Sequence, residues 1–282
     1  MITPFTASNG VDHEAAWRLA RHLSDKGSDT LVVSGTTGES PTLSDDEKVA
    51  LFVTVIEAVQ EKDTLVVAGT GTNDTRHSVE MTNRAADVGA DGVLAVTPYY
   101  NKPSQVGQIA HFTAIADVGL PVMVYNIPGR TSVKTDVDTL VELASHPNIA
   151  AVKDAVLDLE LTAATIERAP SLPVYSGQDT FTLPMLSVGA VGVVSVVAHL
   201  AGLSIKAMIN AAYDGDWTKA RELHNQLLPL CEACFLESNP APVKAAMSAF
   251  WEPVGDVRLP LVSASDDTVR SIEKALETLQ GL

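Results

Sequence analysis

Seven short runs rich in β-branched residues recur along the chain, and each is bounded by Gly, Pro or Asn. Their hydrophobicity is continuous rather than alternating, which is typical of strands covered on both faces in a parallel sheet. The runs occupy residues 30–35, 64–69, 92–98, 121–126, 150–155, 172–177 and 192–197. Amphipathic stretches, such as residues 44–62 and 74–90, separate them. This alternation predicts successive βα units around a parallel sheet.

Helical signals mark both the first long amphipathic stretch and the end of the chain. Ser44 and Glu47 form the S-x-x-E pattern of a capping box, which predicts a helix start. From about residue 203 onward only helical periodicity appears. We therefore expect a last barrel helix over residues 203–213, followed by a helical appendage.

The number of strands and the chain length favour an α/β fold, a (β/α)8 TIM barrel with a C-terminal α-helical extension. Closure needs an eighth strand, which we assign to the letters MIT before Pro4, so the chain is expected to begin inside its first strand. A doubly wound open sheet is the structural alternative. The expected division is a catalytic barrel over residues 1–215, with its first strand truncated, and a C-terminal helical domain over residues 216–282.

Composition narrows the class of protein. The formal net charge of −16 favours solubility and argues against a nucleic-acid partner, because phosphate backbones attract basic surfaces. No apolar stretch is long enough to span a bilayer, and the N-terminus lacks the basic and apolar regions of a secretory signal. Two cysteines are too few for a disulfide-built secreted protein. We expect a cytoplasmic enzyme without a membrane partner.

Three motifs with a possible chemical meaning are better explained by structure. Cys231 and Cys234 form a C-x-x-C pair on a predicted helix, with no second ligand pair for zinc and no preceding strand for a redox motif. Residues 69–74, GTGTND, lack the third glycine of a dinucleotide loop. His199 is expected to be a satisfied histidine of the core or barrel rim.

Polar side chains follow the predicted strands at their C-terminal ends, where barrel active sites form. They are hydroxyls, phenols, a carboxylate, a guanidinium and a lysine, namely Thr36, Thr37, Glu39, Thr70, Tyr99, Tyr100, Tyr125, Arg130 and Lys153, with Gly177 ending a further strand. No Asp, Glu and His set has the spacing of metal ligands. Each segment also has a structural interpretation, as a turn with a helix cap, packing aromatics or a core tyrosine.

Lys153 is the most unusual of these residues because it lies inside the apolar run AAVKDA. Desolvation lowers the pKa of a lysine, so that a nucleophilic amine becomes accessible near neutral pH. Such an amine condenses with a ketone to an imine, and loss of an α-proton then gives an enamine that attacks an aldehyde. The alternative is a structural lysine paired with Asp154, although neighbours on a strand point to opposite faces.

At these residues the sequence resembles the dihydrodipicolinate synthase / N-acetylneuraminate lyase family of class I aldolase-type lyases. The resemblance runs from end to end of the chain, and several motifs in order are more specific than any one alone. The motifs are ITPF at 2–5, GTTGES at 35–40, AGTGTN at 68–73, VTPYYNKPSQ at 96–105, YNIPGRT at 125–131, VKDA at 152–155, YSGQD at 175–179, GVVSV at 192–196 and RLP at 258–260.

The resemblance implies four catalytic residues. Lys153 is expected to form a Schiff base with pyruvate. Tyr125 is expected to relay protons together with Thr36 and Tyr100. In this family the second tyrosine of the YY pair, here Tyr100, reaches across a tight-dimer interface into the site of the neighbouring subunit.

The resemblance also implies four substrate-binding residues. Thr37 is expected to hold the pyruvate carboxylate, and Arg130 the carboxylate of L-aspartate-4-semialdehyde. The backbones of Gly177 and Val194 correspond to positions that line the pyruvate pocket. An arginine after YNIPG, together with GTT rather than GST, favours the synthase over the sialic-acid lyases.

Three departures from the family pattern matter. Asp154 stands where many members have glutamate, and Gln178 makes SGQD from the commoner SGDD. Asp45, Lys48 and His77 stand where lysine-regulated members carry histidines and a glutamate. We therefore predict weak or absent feedback inhibition by L-lysine.

The expected reaction is the condensation of pyruvate with L-aspartate-4-semialdehyde to 4-hydroxy-tetrahydrodipicolinate, in diaminopimelate and lysine biosynthesis. It needs no metal or organic cofactor, and the expected assembly is a homotetramer of tight dimers. One alternative is another pyruvate-dependent aldolase of the family, such as a 2-keto-3-deoxy sugar-acid or N-acetylneuraminate lyase. The other alternative is a binding barrel without catalytic activity. It requires loss of Lys153 or Tyr125, and both residues are present.

Overall fold

The computed structural model describes residues 1–280, which contain seven strands and twelve α-helices. The strands are β1 (Thr30–Val33), β2 (Leu65–Gly69), β3 (Gly92–Val96), β4 (Val122–Asn126), β5 (Ile149–Asp154), β6 (Val174–Ser176) and β7 (Gly192–Val193). The helices are α1 (His13–Asp25), α2 (Asp45–Val59), α3 (Thr75–Asp87), α4 (Gln105–Ala116), α5 (Pro128–Thr131), α6 (Val137–Leu143), α7 (Leu159–Arg168), α8 (Thr182–Ser187), α9 (Ala198–Tyr213), α10 (Trp217–Ala233), α11 (Ala241–Phe250) and α12 (Asp266–Gln280). Strands and helices alternate from β1 to α9, which confirms the predicted βα repeat.

The chain groups into two compact units. One contains residues 1–66 together with the chain from Val196 onward, and the other contains Val67–Ser195. The helices from α9 to α12 therefore belong to the same unit as β1. The predicted boundary between residues 215 and 216 stays a prediction, and residues 281 and 282 of that predicted domain lie outside the described residues.

The unit Val67–Ser195 is built on parallel strands that follow one another in chain order. From β2 to β7, each strand pairs in parallel with the next. The register sets Tyr125 of β4 opposite Lys153 of β5, and Lys153 opposite Tyr175 of β6. Because these strands run in the same direction, their carboxyl ends lie at one edge of the sheet. The candidate residues of these strands therefore share that edge.

In the other unit, the start of the chain lies beside β1 without forming a strand. The amino group of Met1 donates to the carbonyl of Val32 at 2.5 Å. The next backbone N–H group, that of Ile2, donates instead to the ring of His199, and Pro4 has no N–H group. Because Ile2 bonds to a side chain and Pro4 cannot donate, residues 1–3 do not form the regular backbone hydrogen bonds of a strand. The eighth strand expected there is absent from the described residues.

The helix signals are borne out in part. Ser44 and Glu47 cap each other's backbone N–H groups at the start of α2, which confirms the capping box. Helix α9 begins five residues before the predicted start at 203 and is kinked at Ala201, which has non-helical angles. The sequence pattern does not reveal the first turn of α9, because this turn directly continues the apolar run that contains β7.

The two cysteines are buried on the helical part of the chain. Cys231 lies within α10 and Cys234 caps its C-terminal end, in agreement with a packing role. Within residues 1–280, no group of three or more His, Cys, Asp and Glu residues is arranged to hold a metal ion. In the same part of the chain no helix has the length and apolar character needed to cross a membrane.

Candidate active site

Lys153 lies near the carboxyl end of β5, between tyrosines of the two neighbouring strands. Its Nζ is 4.1 Å from the centroid of the Tyr125 ring, a cation–π distance for the protonated amine. Burial lowers the pKa of Lys153 from 10.5 to about 8, because desolvation disfavours the ammonium. The amine can therefore lose its proton near neutral pH, which is the property that a Schiff-base nucleophile needs.

Two charged residues modify this effect in opposite directions. The carboxylate of Asp179 raises the pKa of Lys153, whereas the guanidinium of Arg130 lowers it further. Asp179 opens a short 3-10 helix after β6, is only 7% exposed, and accepts a hydrogen bond from Ser195. Arg130 lies in the single turn of α5 and is exposed. The charge on Lys153 is thus set by burial first and then by this pair.

Asp154, the residue after Lys153, has partners of its own. Its Oδ1 accepts from the backbone N–H of Val156 at 3.0 Å, and its Oδ2 accepts from the hydroxyl of Thr162 on α7 at 2.9 Å. Burial raises the pKa of Asp154. These bonds tie the carboxylate to the helix layer and argue against the alternative in which it neutralises Lys153.

Gly177 makes room for the lysine side chain. A Cβ atom at this position would lie 2.9 Å from the Cβ of Ala155 and 3.2 Å from the Cε of Lys153. Val194 continues β7 by donating its N–H to the carbonyl of Ser176 at 2.8 Å. Both positions therefore lie at strand ends, Gly177 beside β5 and Val194 beside β6, and their role in lining a pyruvate pocket stays a prediction.

The tyrosines differ strongly in exposure. Tyr125 is 4% exposed, whereas Tyr100 is 91% exposed and has a left-handed φ of 71°. A non-glycine residue in this region is strained. Its own unit gives the Tyr100 ring no packing surface, so the structure does not bring this predicted catalytic residue to Lys153 within one subunit.

Thr36 and Thr37 follow β1 in a tight turn of the other unit. The turn is flanked by two non-glycine residues with left-handed φ, 56° at Ser34 and 55° at Glu39. Within the same unit, the side-chain Nδ2 of Asn239 donates to the hydroxyl oxygen of Thr37 at 3.0 Å. The turn is thus a strained segment with a defined hydrogen-bond partner from the C-terminal helices.

Glu39 is held by two basic residues from the end of the chain. Its Oε1 accepts from Nζ of Lys244 at 2.7 Å, with both side chains 1% exposed. Its Oε2 accepts from the backbone N–H of Arg258 at 2.8 Å. The Phe5 ring lies under both cations, 3.8 Å from Lys244 Nζ and 4.3 Å from Arg258 Cζ. This clamp fixes the end of the threonine turn.

His199 is a satisfied core histidine, as predicted. Its Nε2 accepts from the backbone N–H of Ile2 at 3.0 Å, while Nδ1 lies 2.8 Å from the carbonyl of Val196. Burial lowers the pKa of His199 to about 3. The ring is therefore neutral, with Nδ1 as the donor, and is fully used in packing.

Comparison with known proteins identifies the family. Residues 1–279 match the dihydrodipicolinate synthetase family. The chain belongs to this family. A relative from Thermosynechococcus vestitus named 4-hydroxy-tetrahydrodipicolinate synthase is 49% identical over 283 residues, which cover 99% of this chain and 95% of that protein.

Solved structures of dihydrodipicolinate synthases have the same fold. One, from Cyanidioschyzon merolae with lysine bound, has a TM-score of 0.98 at 42% identity and covers 100% of this chain and 97% of that chain. Another, a monomeric variant, has a TM-score of 0.96 at 36% identity and covers 100% of this chain and 95% of that chain. The protein is an enzyme with the (β/α)8 TIM-barrel fold and a C-terminal helical region, which confirms the predicted fold class and resemblance.

Sequence patterns do not identify several residues that hydrogen-bond or interact electrostatically with the candidate residues of this dihydrodipicolinate synthetase family member. Asp179 and Ser195 belong to the motifs YSGQD and GVVSV without a role predicted from the sequence, although a buried carboxylate after a strand end is itself a signal. Asn239 and Lys244 lie in the C-terminal helical part and were given no role. Lys244 carries the same signal as Lys153, a lysine within an apolar segment.

Proposed function

We propose that this chain condenses pyruvate with L-aspartate-4-semialdehyde to 4-hydroxy-tetrahydrodipicolinate, in diaminopimelate and lysine biosynthesis. The observation that carries the proposal is the amine of Lys153, which has a pKa of about 8 and lies over the ring of Tyr125. A nucleophile and a proton relay thus adjoin each other. The shared name of the relatives supports the choice of substrates.

The first half of the reaction forms a carbon nucleophile on Lys153. The neutral amine attacks the C2 ketone of pyruvate, and the ketone oxygen leaves as water with a proton from the Tyr125 hydroxyl. The resulting protonated imine withdraws electrons from C3. Tyr125, now a phenolate, removes a C3 proton, which gives the enamine. Because the imine is the electron sink, no metal or organic cofactor enters this step.

The second half forms one carbon–carbon bond and releases the lysine. The enamine C3 attacks the aldehyde carbon of the second substrate, whose oxygen takes the proton from Tyr125, and the imine re-forms. The neutral amino group of the bound semialdehyde then attacks C2, one of its protons passes to the nitrogen of Lys153 and the other returns to the Tyr125 phenolate, and the neutral amine of Lys153 leaves as the ring closes. The balance is pyruvate plus semialdehyde to the cyclic product plus one water.

The carboxylates of the two substrates need separate anchors. We assign the Thr37 hydroxyl and the backbones of Gly177 and Val194 to pyruvate, and Thr36 and Tyr100 to the proton relay with Tyr125, as the resemblance implies. Arg130 is assigned to the semialdehyde carboxylate, because an exposed guanidinium binds a carboxylate through two hydrogen bonds.

Reductive trapping tests the proposal. Incubation with pyruvate and borohydride, followed by peptide mapping, is expected to place one adduct on the peptide that contains Lys153. The Lys153→Ala variant is expected to form none, while Lys274→Ala, which removes an exposed lysine of α12, reacts like the parent. An adduct absent from the Lys153 peptide of the folded parent refutes the mechanism.

Arg130 distinguishes this reaction from that of another aldolase of the family. A short substrate with a carboxylate needs the guanidinium, whereas a polyol chain prefers neutral hydrogen-bonding groups. Steady-state assays with L-aspartate-4-semialdehyde and with sugar-derived aldehydes decide between them. Turnover of the sugar aldehydes alone is the result that favours the alternative.

We further propose that the chain acts in the cytoplasm as a homotetramer of tight dimers. The support for a tight dimer is Tyr100, whose exposed ring on a strained backbone is suited to fill a neighbour's site. Because one solved relative is a monomeric variant, native mass spectrometry has to establish the assembly. A monomer with full activity contradicts the proposal.

A further inference from the structure

Asn239 links the C-terminal helices to the turn that carries Thr37. It lies directly before Pro240 and α11, 202 positions from Thr37 along the chain, yet its Nδ2 is 3.0 Å from the threonine hydroxyl oxygen. Asn239 itself is 7% exposed, and Thr37 is half-buried. The contact is therefore sheltered from water, where a hydrogen bond has a well-defined direction.

The direction of this bond determines what the Thr37 hydroxyl can do. A hydroxyl has one hydrogen to donate and two lone pairs to accept with. Since the amide of Asn239 donates, it occupies a lone pair of Thr37 and repels the hydroxyl hydrogen. That hydrogen must point elsewhere, and accepting one bond strengthens a hydroxyl as a donor. The Thr37 hydroxyl is thus oriented to donate away from Asn239.

Stability alone does not explain Asn239. Within residues 1–280 its Oδ1 is buried and has no hydrogen-bond partner. A buried carbonyl oxygen that accepts no hydrogen bond from a protein group is destabilising, so the choice of asparagine here calls for an explanation beyond packing. An apolar residue of similar size would avoid this cost. The side-chain amide of Asn239 is explained if its Nδ2 group is needed to orient the Thr37 hydroxyl.

The backbone of the threonine turn is held in place independently of the hydrogen bond between Asn239 and Thr37, by the clamp that Lys244, Glu39 and Arg258 form. The clamp holds the far end of the turn through a buried ion pair and a backbone hydrogen bond. The hydroxyl of Thr3 also donates to the carbonyl of Gly38 at 2.7 Å. The turn therefore has three anchors that do not involve Asn239, and what Asn239 adds is the orientation of the Thr37 hydroxyl.

We propose that Asn239 is a positioning residue that orients the Thr37 hydroxyl as a hydrogen-bond donor to the carboxylate of pyruvate. The inference rests on the proposed function, in which Thr37 binds that carboxylate. It extends the site to the C-terminal helices, which thereby set the affinity for the first substrate.

Two substitutions and one neutral ligand test the proposal. Asn239→Ala is expected to raise KM for pyruvate about threefold to tenfold with a smaller change in kcat, because one orienting hydrogen bond is lost. Asn239→Asp keeps the size but can only accept, so Thr37 turns its hydrogen toward it. KM for pyruvate then rises further than with alanine. With methyl pyruvate, whose neutral ester is a weaker acceptor than a carboxylate, cyanoborohydride trapping is expected to show a smaller difference between Asn239→Asp and the parent than with pyruvate.

The controls separate orientation from folding. Ser238→Ala changes the exposed neighbour of Asn239 and is expected to leave KM unchanged. In a Thr37→Val background, Asn239→Ala is expected to change trapping of pyruvate less than twofold, because the oriented hydroxyl is already absent. If Asn239→Ala proves unfolded in a melting experiment, the comparison uses Asn239→Asp, which keeps the size of the side chain.

The outcomes distinguish this inference from the proposed function. A parent enzyme that forms no pyruvate adduct at Lys153 overturns the proposed function and this inference with it. A parent that reacts, with Asn239 variants that bind pyruvate as it does, overturns the inference alone. Equal losses for pyruvate and methyl pyruvate also overturn it, because they indicate a general structural effect.

Discussion

The imine formation that we propose at Lys153 requires the neutral amine, so its rate follows the fraction of lysine that has lost its proton. With a pKa of about 8, about one-tenth of the amine is neutral at pH 7. At the ordinary pKa of 10.5, only about one molecule in 3,000 would be neutral at the same pH. Burial of this side chain therefore raises the reactive population by more than two orders of magnitude.

The assay is single-turnover trapping of the pyruvate adduct with cyanoborohydride at low pyruvate, across a series of pH values. We expect the rate to rise about tenfold between pH 7 and pH 9 and to level off above, with an inflection near the pKa of about 8. An unperturbed lysine would instead give a rise of about a hundredfold over the same interval. A rate that still climbs about eightfold between pH 9 and pH 10, as an unperturbed lysine would give, refutes the argument.

Two variants shift the inflection in opposite directions. Asp179→Asn removes a carboxylate that favours the ammonium of Lys153, so the pKa and the inflection move to lower pH. Arg130→Gln removes a cation that disfavours the ammonium of Lys153, so the pKa of Lys153 and the inflection of the rate profile move to higher pH. Lys274→Ala serves as the control. Shifts of equal sign in the first two variants contradict the electrostatic assignment.

Four further predictions follow from the same structure. Gly177→Ala places a methyl group 3.2 Å from Cε of Lys153 and 2.9 Å from Cβ of Ala155, so trapping is expected to slow at least tenfold and the melting temperature to fall; unchanged trapping in the folded variant argues against a role for Gly177 in making room for the lysine. A randomly reassembled equimolar mixture of Lys153→Ala and Tyr100→Ala chains is expected to recover about one-quarter of the parent activity if the tyrosine acts across the dimer, because half of the dimers are mixed and each of these has one intact site of two; no recovery places the tyrosine within one subunit. Lys244→Met is expected to lower the free energy of unfolding in urea by about 3–5 kcal/mol, because it leaves the carboxylate of Glu39 buried and unpaired. The double variant Lys244→Met, Glu39→Gln is expected to recover part of this loss. Steady-state inhibition by L-lysine is expected to be weak or absent, and inhibition at sub-millimolar lysine contradicts this.

The order of strands and helices could be predicted from the sequence because each buried strand is a short apolar run between turn residues. The end of β7 could not. The apolar run continues to residue 197, but the strand ends at Val193 and Val197 already has helical angles before α9. A buried strand and the buried first turn of a helix have the same composition, so periodicity does not separate them.

The placement of Tyr125 and Lys153 beside each other could be predicted, because residue type and strand order put both near the carboxyl ends of neighbouring strands. The partners that orient these residues could not, because they are distant in sequence. Glu39 and Lys244 are 205 positions apart, and their pairing depends on how α11 packs. Local patterns carry no information about such contacts, which only the folded chain determines.

Two lysines with a lowered pKa show why desolvation alone does not identify a nucleophile. Burial lowers the pKa of both Lys153 and Lys244 to about 8. Lys244, however, donates to Glu39 at 2.7 Å, which holds its proton and occupies its nitrogen, and its side chain is 1% exposed. Lys153 is partly exposed and faces an aromatic ring rather than a carboxylate. A nucleophile needs both a free lone pair and access to its substrate, so trapping is expected to modify Lys153 and to spare Lys244 in the same digest.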